Sequence, residues 1–426
     1  APYIRITMAS LTVSRRVQSL KPSVTVAFMN RAKSMQAAGK DVLSFAAGEP
    51  DFDTPDIVKY AAINALTKGQ TKYMPTLGDP ATRACIAKKL TEENGLPNCT
   101  PDHITIGAGG KHSLFVLAHV LIDEPKPGEP QQEVILPVPA WVSYAPIVEL
   151  AGGKVIEVPT TVDTGFKATA EQIKKAITPR TRMLILNSPS NPCGTMYTPD
   201  ELRAIGNVVE EAARTIAPDI TVLSDELYEK IVYGGIPHFS IGSMPAIAER
   251  VITLNGLSKA YGMTGWRIGY TGSSGEFGKK FTSAMATLQG QMSTNITSFT
   301  YPSIRTALTQ CAGEVEMMRL AFAKRAELIN ARLAKLPGIK NAKATGAFYA
   351  FPDVSAYFGK TSKGGRKIDS AMSMSEALLE ENLVAFVPGE DFGGCGKNHV
   401  RISFACSEDQ INKGMDRFAQ FLSDLR

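Results

Sequence analysis

Between residues 103 and 271 the chain alternates short apolar runs with stretches long enough to hold a helix. The runs are His103–Ile106, Val134–Leu136, Lys154–Val158, Met183–Leu186, Thr221–Leu223, Val251–Leu254 and Ile268–Thr271, mostly β-branched and bounded by Gly, Pro, Asn or Asp. A strand that is apolar at consecutive positions must bury both faces, and helix-length crossovers return the chain parallel to itself. The pattern predicts an α/β fold whose mostly parallel sheet is covered by helices on both sides. Its 426 residues exceed what one core usually holds, roughly 250–300. Near residue 306 the pattern changes. Gly313–Leu336 has helical periodicity, Ala347–Phe351, Leu383–Val387 and His399–Phe404 read as strands, and a helix runs from Ser407 to the end. This predicts a smaller α+β domain over 306–426, after a large domain over 56–305. Residues 1–55 show no strong strand pattern and are expected to cross between the two, contributing to the small domain.

Composition removes several function classes. Charged residues are 20% and the hydrophobic set 44%, ordinary for a soluble globular chain. The net charge of +5 comes with no dense Lys/Arg run, so nucleic acid is not expected as a partner. The longest uncharged apolar stretch, Ser113–Ile122, is too short for a membrane span of roughly 20 residues. The six cysteines form no CxxC pair, which fits reduced thiols and a cytoplasmic protein. The five histidines have no metal-ligand spacing, so no metal is expected. Ala1–Thr7 precede Met8 and are left out of the fold reading, and Arg15, Arg16 and Lys21 among serines are a weak targeting signal.

In an open α/β sheet ligands bind beyond the carboxyl ends of the strands. There the chain places Gly107-Ala108-Gly109-Gly110-Lys111, Asn187-Ser188-Pro189-Ser190-Asn191-Pro192-Cys193-Gly194, Ser224-Asp225-Glu226-Leu227-Tyr228, and Asn255-Gly256-Leu257-Ser258-Lys259 followed by Arg267. Singly these residues have ordinary explanations: an Asp after a strand caps a helix, a loop Lys is solvated, Asn-Pro makes a turn. The glycine turn is neither a P-loop, since Thr105 replaces the first glycine and His112 follows Lys111, nor a dinucleotide fingerprint, since His112 replaces the third glycine. Together they suit pyridoxal phosphate, which needs an amine, an anion at its ring nitrogen, donors at its phenolate oxygen, and cations with backbone N–H groups at its phosphate. Lys259 supplies the amine, Asp225 the anion, Asn191 and Tyr228 the donors. Arg267 and the helix start after Gly109-Gly110 suit the phosphate. Arg401, between Val400 and Ile402 in an apolar strand, wants a planar anion, either a substrate carboxylate or a structural salt bridge.

The string Asn191-Pro192-Cys193-Gly194, Ser224-Asp225-Glu226-Leu227-Tyr228 and Ser258-Lys259-Ala260-Tyr261-Gly262-Met263-Thr264-Gly265-Trp266-Arg267-Ile268-Gly269-Tyr270 resembles the class I aminotransferases of pyridoxal-phosphate fold type I. Ala47-Gly48-Glu49-Pro50-Asp51-Phe52-Asp53-Thr54-Pro55, Lys72-Tyr73, Ala140-Trp141-Val142-Ser143-Tyr144, Gly346-Ala347-Phe348-Tyr349 and Val387-Pro388-Gly389-Glu390 agree in order from about Ser14 to the C-terminus. The resemblance implies a seven-stranded large domain, with Lys259 as the amine that links to the cofactor. It also implies Asp225 at the pyridinium, Asn191 and Tyr228 at the phenolate oxygen, and Trp141 stacked on the ring. Gly109, Gly110, Lys111, Ser258 and Arg267 would complete the cofactor site, with Tyr73 reaching in from the neighbouring subunit of a homodimer. Arg401, with Gly48, Trp141 and Asn191, would bind the substrate, Arg401 holding its α-carboxylate.

Lys111 and Lys21-Pro22-Ser23-Val24-Thr25 resemble the bacterial-type aspartate aminotransferase subgroup, some members of which also use prephenate. In that subgroup Lys111, Ser23 and Thr25 would face the distal carboxylate, though Lys111 also reads as a phosphate-side cation or a solvated residue. Cys193 departs from the threonine common in the family, without touching the Asn191 donor. The expected activity is ping-pong transfer of an amino group between aspartate or glutamate and a 2-oxo acid, by a lid-like closure of the small domain over the substrate. Alternatives on the same residues are an aromatic or alanine preference, a pyridoxal-phosphate β-lyase, and a non-catalytic ligand-sensing module. The last usually carries a DNA-binding domain, and only residues before Ser14 precede the motifs.

Overall fold

The structure is a computed structural model describing residues 12–20 and 24–426, with Val24 placed through its backbone only. The strands in chain order are β1 (Leu43–Ser44), β2 (Ile104–Gly107), β3 (Glu133–Val138), β4 (Lys154–Pro159), β5 (Thr181–Asn187), β6 (Thr221–Asp225), β7 (Val251–Gly256), β8 (Gly269–Gly272), β9 (Tyr349–Ala350), β10 (Val384–Ala385), β11 (Val387–Pro388) and β12 (Val400–Ser403). The seven runs read from the sequence are β2 to β8. They form one seven-stranded sheet in the order β2-β8-β7-β6-β5-β3-β4. Only β8 is antiparallel to its neighbours, and the other pairings are parallel.

Alternate residues of each strand enter different cores. Val134, Leu136, Met183, Ile185 and Leu254 pack with Leu114 and Leu117 of the helix Gly110–Leu121 and with Phe281 and Met285 of the helix Gly275–Gly290. Ile135, Leu184, Leu186 and Val222 face the other way, onto Ile205 and Val209 of the helix Pro199–Thr215. That two-sided burial is why the strands read as continuous apolar runs. The helix after β5 is positioned by local chemistry. Thr198 accepts from the Glu201 N–H, the Glu201 carboxylate accepts from the Thr198 N–H, and Pro199 opens the first turn.

The C-terminal part has a three-stranded antiparallel sheet, β11-β12-β9, and a parallel pair, β1-β10. Its core gathers Phe322, Ile329, Phe348, Phe386, Phe404 and Phe418 around the helices Ala312–Leu333, Ala371–Asn382 and Glu408–Asp424. The expected single strand Leu383–Val387 is two. Leu383 closes the preceding helix in a left-handed conformation, Val384–Ala385 pairs with β1, and Val387–Pro388 pairs with β12. The N-terminal segment also holds more than expected, namely the helix Val24–Ala37 and the strand β1, whose two residues are too short to leave a pattern. From β1 it runs toward the large sheet, and Thr54 Oγ1 donates to the Gly262 carbonyl there.

Gly194 welds the loop after β5 to this C-terminal part. Its carbonyl accepts from the N–H groups of Thr345 and Gly346 at 2.8 and 2.9 Å. Its φ is +68°, and a Cβ would fall 1.9 Å from the Tyr349 carbonyl oxygen. Gly194→Ala is therefore expected to destabilise the protein by more than about 2 kcal/mol, combining left-handed strain with a backbone collision. A urea midpoint equal to that of the parent protein would show that this contact is not tight.

Candidate active site

The carboxyl ends of β5, β6 and β7 open onto a cavity of about 300 Å³, closed on its other side by residues of the C-terminal part. Asp225 ends β6 and is 5% exposed. Its carboxylate accepts from Tyr144 Oη at 2.6 Å and from the Leu227 N–H at 3.2 Å. Burial pushes its pKa up to about 6, against the pull of those two hydrogen bonds and of the Lys259 charge. Asn187, at the end of β5, ties the neighbouring loop down. Its side chain accepts from the Asn191 N–H and donates to the Asp225 carbonyl.

Lys259 lies three residues beyond the end of β7. Its Nζ faces the cavity, which leaves the side chain some surface although protein surrounds the amine, and it donates to the Gly48 carbonyl. Loss of hydration is the main cause of a pKa near 8, with the charges of Arg401 and Arg267 acting in the same direction and Glu49 opposing. Tyr228 Oη lies 2.9 Å from Tyr349 Oη, and burial holds the Tyr228 phenol well above its usual pKa.

Arg401, on β12, is 5% exposed and has no carboxylate partner among the described residues. Its Nη1 donates to Asn191 Oδ1 at 3.0 Å and its Nη2 to the Ala46 carbonyl at 2.9 Å, while the buried Nε has no partner. The guanidinium lies over the rings of Tyr349 and Phe392, at 4.9 and 5.3 Å. This disfavours the structural salt bridge. Because Arg401 occupies the Asn191 carboxamide oxygen, the Asn191 N–H₂ is the end left to donate into the cavity.

At the opposite end, Gly110 begins a helix behind Gly109, whose φ is +93°. A Cβ on Gly109 would meet Arg267 Nη2 at 2.3 Å, so only glycine lets the turn and this guanidinium share one cup. Arg267 itself has φ +57° and donates from Nη1 to the Thr264 carbonyl. Backbone held in that region by a non-glycine residue is concentrated at ligand clamps. Lys111 Nζ stands 5.0 Å from the centroid of the Trp141 ring, and burial together with Arg267 lowers its pKa. Thr25, 6% exposed, also lines the cavity. Its N–H donates to Asp391 Oδ2, and its Oγ1 is buried without a hydrogen-bond partner.

The structure thus brings Thr25, Gly48, Gly110, Lys111, Trp141, Asn191, Asp225, Tyr228, Ser258, Lys259, Arg267 and Arg401 around one cavity, with Gly109 packed behind Arg267. Ser23 lies outside the described residues. Tyr73 does not join the cavity. It is 89% exposed, in a surface groove with Lys72 and Asn295. Three residues at the site were not singled out from sequence, namely Tyr144, Tyr349 and Asn187. All three stood inside motifs given above, but the partners of Tyr144, Tyr349 and Asn187 lie 81, 121 and 38 positions away.

Residues 40–418 match the profile of the family described as aminotransferase class I and II. The chain belongs to the class I and II aminotransferases. It is 41% identical over 413 residues to an aspartate aminotransferase of Geobacillus stearothermophilus, covering 97% of this chain and 99% of the relative. It is 40% identical to an aspartate/prephenate aminotransferase of Cereibacter sphaeroides, with 97% and 99% covered. An aspartate aminotransferase structure from Thermus thermophilus with maleate superimposes with a TM-score of 0.86 at 39% identity, over 97% of this chain and all of the other. The large sheet and its covering helices are those of pyridoxal-phosphate fold type I. The protein is an aminotransferase dependent on pyridoxal 5′-phosphate, and the buried amine, buried carboxylate and glycine–arginine cup fit that cofactor.

The raised pKa of Asp225 has a consequence for the cofactor-free protein. A carboxylate whose folded pKa lies near 6 rather than 3.8 adds stability below pH 4 that is lost as the pH rises through 6. Asn at this position can donate to Tyr144 Oη while its oxygen still accepts from Leu227. Cofactor-free Asp225→Asn is therefore expected to be more stable than the parent above pH 6, by up to about 3 kcal/mol, with the difference vanishing below pH 4. Denaturant titrations at pH 4 and pH 8 measure it, and equal stabilities at pH 8 would contradict the buried charge.

Proposed function

We propose that this aminotransferase exchanges the amino group of aspartate or glutamate with oxaloacetate or 2-oxoglutarate, prephenate being a further acceptor. The observation that carries the reading is a pair of cations in one cavity with no carboxylate partner among the described residues, the buried Arg401 and the more open Lys111. Arg401 has no carboxylate, and Lys111 faces the same space from the other side, beside the unpartnered Thr25 hydroxyl. A dicarboxylate pairs with both, whereas a monocarboxylate leaves Lys111 without an anion. The names of the relatives from Geobacillus stearothermophilus and Cereibacter sphaeroides support the same substrates.

When bound, pyridoxal 5′-phosphate supplies an aldehyde that links to amines and a ring that draws electrons from the carbon bearing the amino group. Lys259 would hold it, Asp225 would keep the ring nitrogen protonated, and Asn191 and Tyr228 would donate to its phenolate oxygen. Trp141 would stack on the ring. Gly109, Gly110, Ser258 and Arg267 would cradle the phosphate. Arg401 would fix the α-carboxylate so that the Cα–H bond faces Lys259, while Lys111, Thr25 and Ser23 would take the distal one. Gly48 leaves room for Tyr349 Oη, which a Cβ there would meet at 2.9 Å, and would line the substrate's side of the cavity. An amine with a pKa near 8 can accept the Cα proton and return it near neutral pH.

The exposed Tyr73 would reach the phosphate of a second copy. Tyr60, 65% exposed, and Ile63, 55% exposed, lie with Ile57 and Leu66 on the helix Asp56–Thr67 and favour a homodimer. Separate cores favour a large part and a smaller C-terminal part joined by 1–55, although Ala307 and Cys311, beyond the expected boundary at 305, pack with Ile86 and Ile104 of the large part; closure of the smaller part would exclude water. No described helix is long and apolar enough to cross a membrane, and the free cysteines suit a cytoplasmic location.

Lys259→Ala should lose both turnover and the yellow absorbance of the linked cofactor, and a variant that keeps the colour would overturn the role of this amine. Lys111→Ala should cut kcat/KM for aspartate by roughly tenfold or more and that for alanine by far less, as a hydrogen bond to a charged group is worth about 1.5–3 kcal/mol. Half-reactions with single amino acids, followed by loss of absorbance, give both numbers. An equal loss for aspartate and alanine would overturn the dicarboxylate reading.

A further inference from the structure

The chain from Phe45 to Thr54 forms a strap whose backbone, not its side chains, meets the two charges that would handle the substrate. The Ala46 carbonyl accepts from Arg401 Nη2 and the Gly48 carbonyl from Lys259 Nζ. One end of the strap is fixed in the C-terminal sheets, where the Phe45 N–H donates to the Ala385 carbonyl and the Ser403 N–H to that of Phe45. The other end is fixed at Thr54 on Gly262. Between them the strap holds Gly48, and there the bonds from Lys259 Nζ to the Gly48 carbonyl and from Thr264 Oγ1 to Glu49 tie it to the loops after β7.

The middle of the strap is gripped from the long helix Ala312–Leu333. Arg325, 9% exposed, closes a two-pronged pair on Asp51, with Nη1 to Oδ1 at 2.7 Å and Nη2 to Oδ2 at 2.9 Å. Its guanidinium lies against the rings of Phe52 of the strap and Phe322 of the helix, at 5.1 and 5.5 Å, and the two rings meet edge to face. A planar cation held by a fork and two rings has one geometry available, unlike an ordinary surface ion pair.

We propose that Arg325 and Asp51 are positioning residues for the amino-transfer reaction. Their clamp sets the Ala46 and Gly48 carbonyls against Arg401 and Lys259, and so sets where the substrate carboxylate and the proton-transferring amine stand. This rests on the roles of Arg401 and Lys259 given above. Displacements of about 1 Å at such groups can cost up to a hundredfold in rate.

The test uses the cofactor-loaded protein, with succinate as a non-reacting dicarboxylate probe in calorimetry and aspartate as substrate. Arg325→Met and Asp51→Asn should each weaken succinate binding and raise the KM for aspartate about tenfold. The double variant should be no worse than either single one, because the pair acts as a unit. Arg325→Lys, which keeps the charge without the fork, should fall between. A merely structural ion pair would lower the unfolding temperature but leave Kd and KM unchanged, since neither depends on how much protein is folded. Asp51→Asn preserves shape and carries the test if Arg325→Met does not fold. Parental Kd and KM in Asp51→Asn and Arg325→Lys, or losses that multiply in the double variant, overturn the clamp. Arg401→Lys separates the two levels. If it abolishes succinate binding while the clamp variants do not weaken it, the clamp alone is wrong. If it has no effect, the reading of the site is wrong and the clamp falls with it.

Discussion

Asp225 and Lys259 are both buried around a cavity that water alone would leave expensive to charge. Desolvation pushes the acid up and the amine down, so each is closer to neutral than it would be in solvent. A cationic ring nitrogen beside the one and an aldehyde beside the other would answer both demands. Much of the neighbouring architecture serves these two groups. Tyr144 and the Leu227 N–H aim the carboxylate, Asn187 ties the ends of β5 and β6, and the Gly48 carbonyl receives the amine.

Positive charge is the other constraint. Arg267, Lys111 and Arg401 converge on the cavity with no carboxylate paired to any of them among the described residues, while exposed ion pairs are plentiful on the surface. Arg401 is buried without an ionic partner, which is unfavourable unless an anion arrives, and the more open Arg267 and Lys111 add positive potential around it. The distribution fits the proposed ligands, with a phosphate at the glycine cup, a carboxylate at Arg401 and a second carboxylate at Lys111. A separate polar cluster behind the site differs in kind. Glu226 and Glu229 are satisfied there by Ser224, Ser240, Asn94, Lys89 and His238, and that closed network braces the loop after β6.

The large sheet was readable because its strands alternate faces inside two cores, and that demands apolar residues at successive positions. Asp225, Asn191 and Lys259 could be placed for the same reason, since each follows a readable strand at the edge where such sheets bind ligands. The C-terminal part was harder. Val384–Ala385 and Val387–Pro388 look like one strand until the left-handed Leu383 and two different pairing partners divide them. Tyr349, Tyr144 and Arg325 carried no local signal of their own, because each acts on a group far away in the chain.

The sequence by itself determined which chemical groups exist and on which strand ends they stand, because local periodicity and turn residues decide where strands begin and stop. Only the tertiary structure decided which charges lose their water, which of them are paired, and that Arg401 and Lys259 are met by a backbone strap gripped from a distant helix. Hydration and pairing belong to the folded volume, and no short window of residues contains both partners.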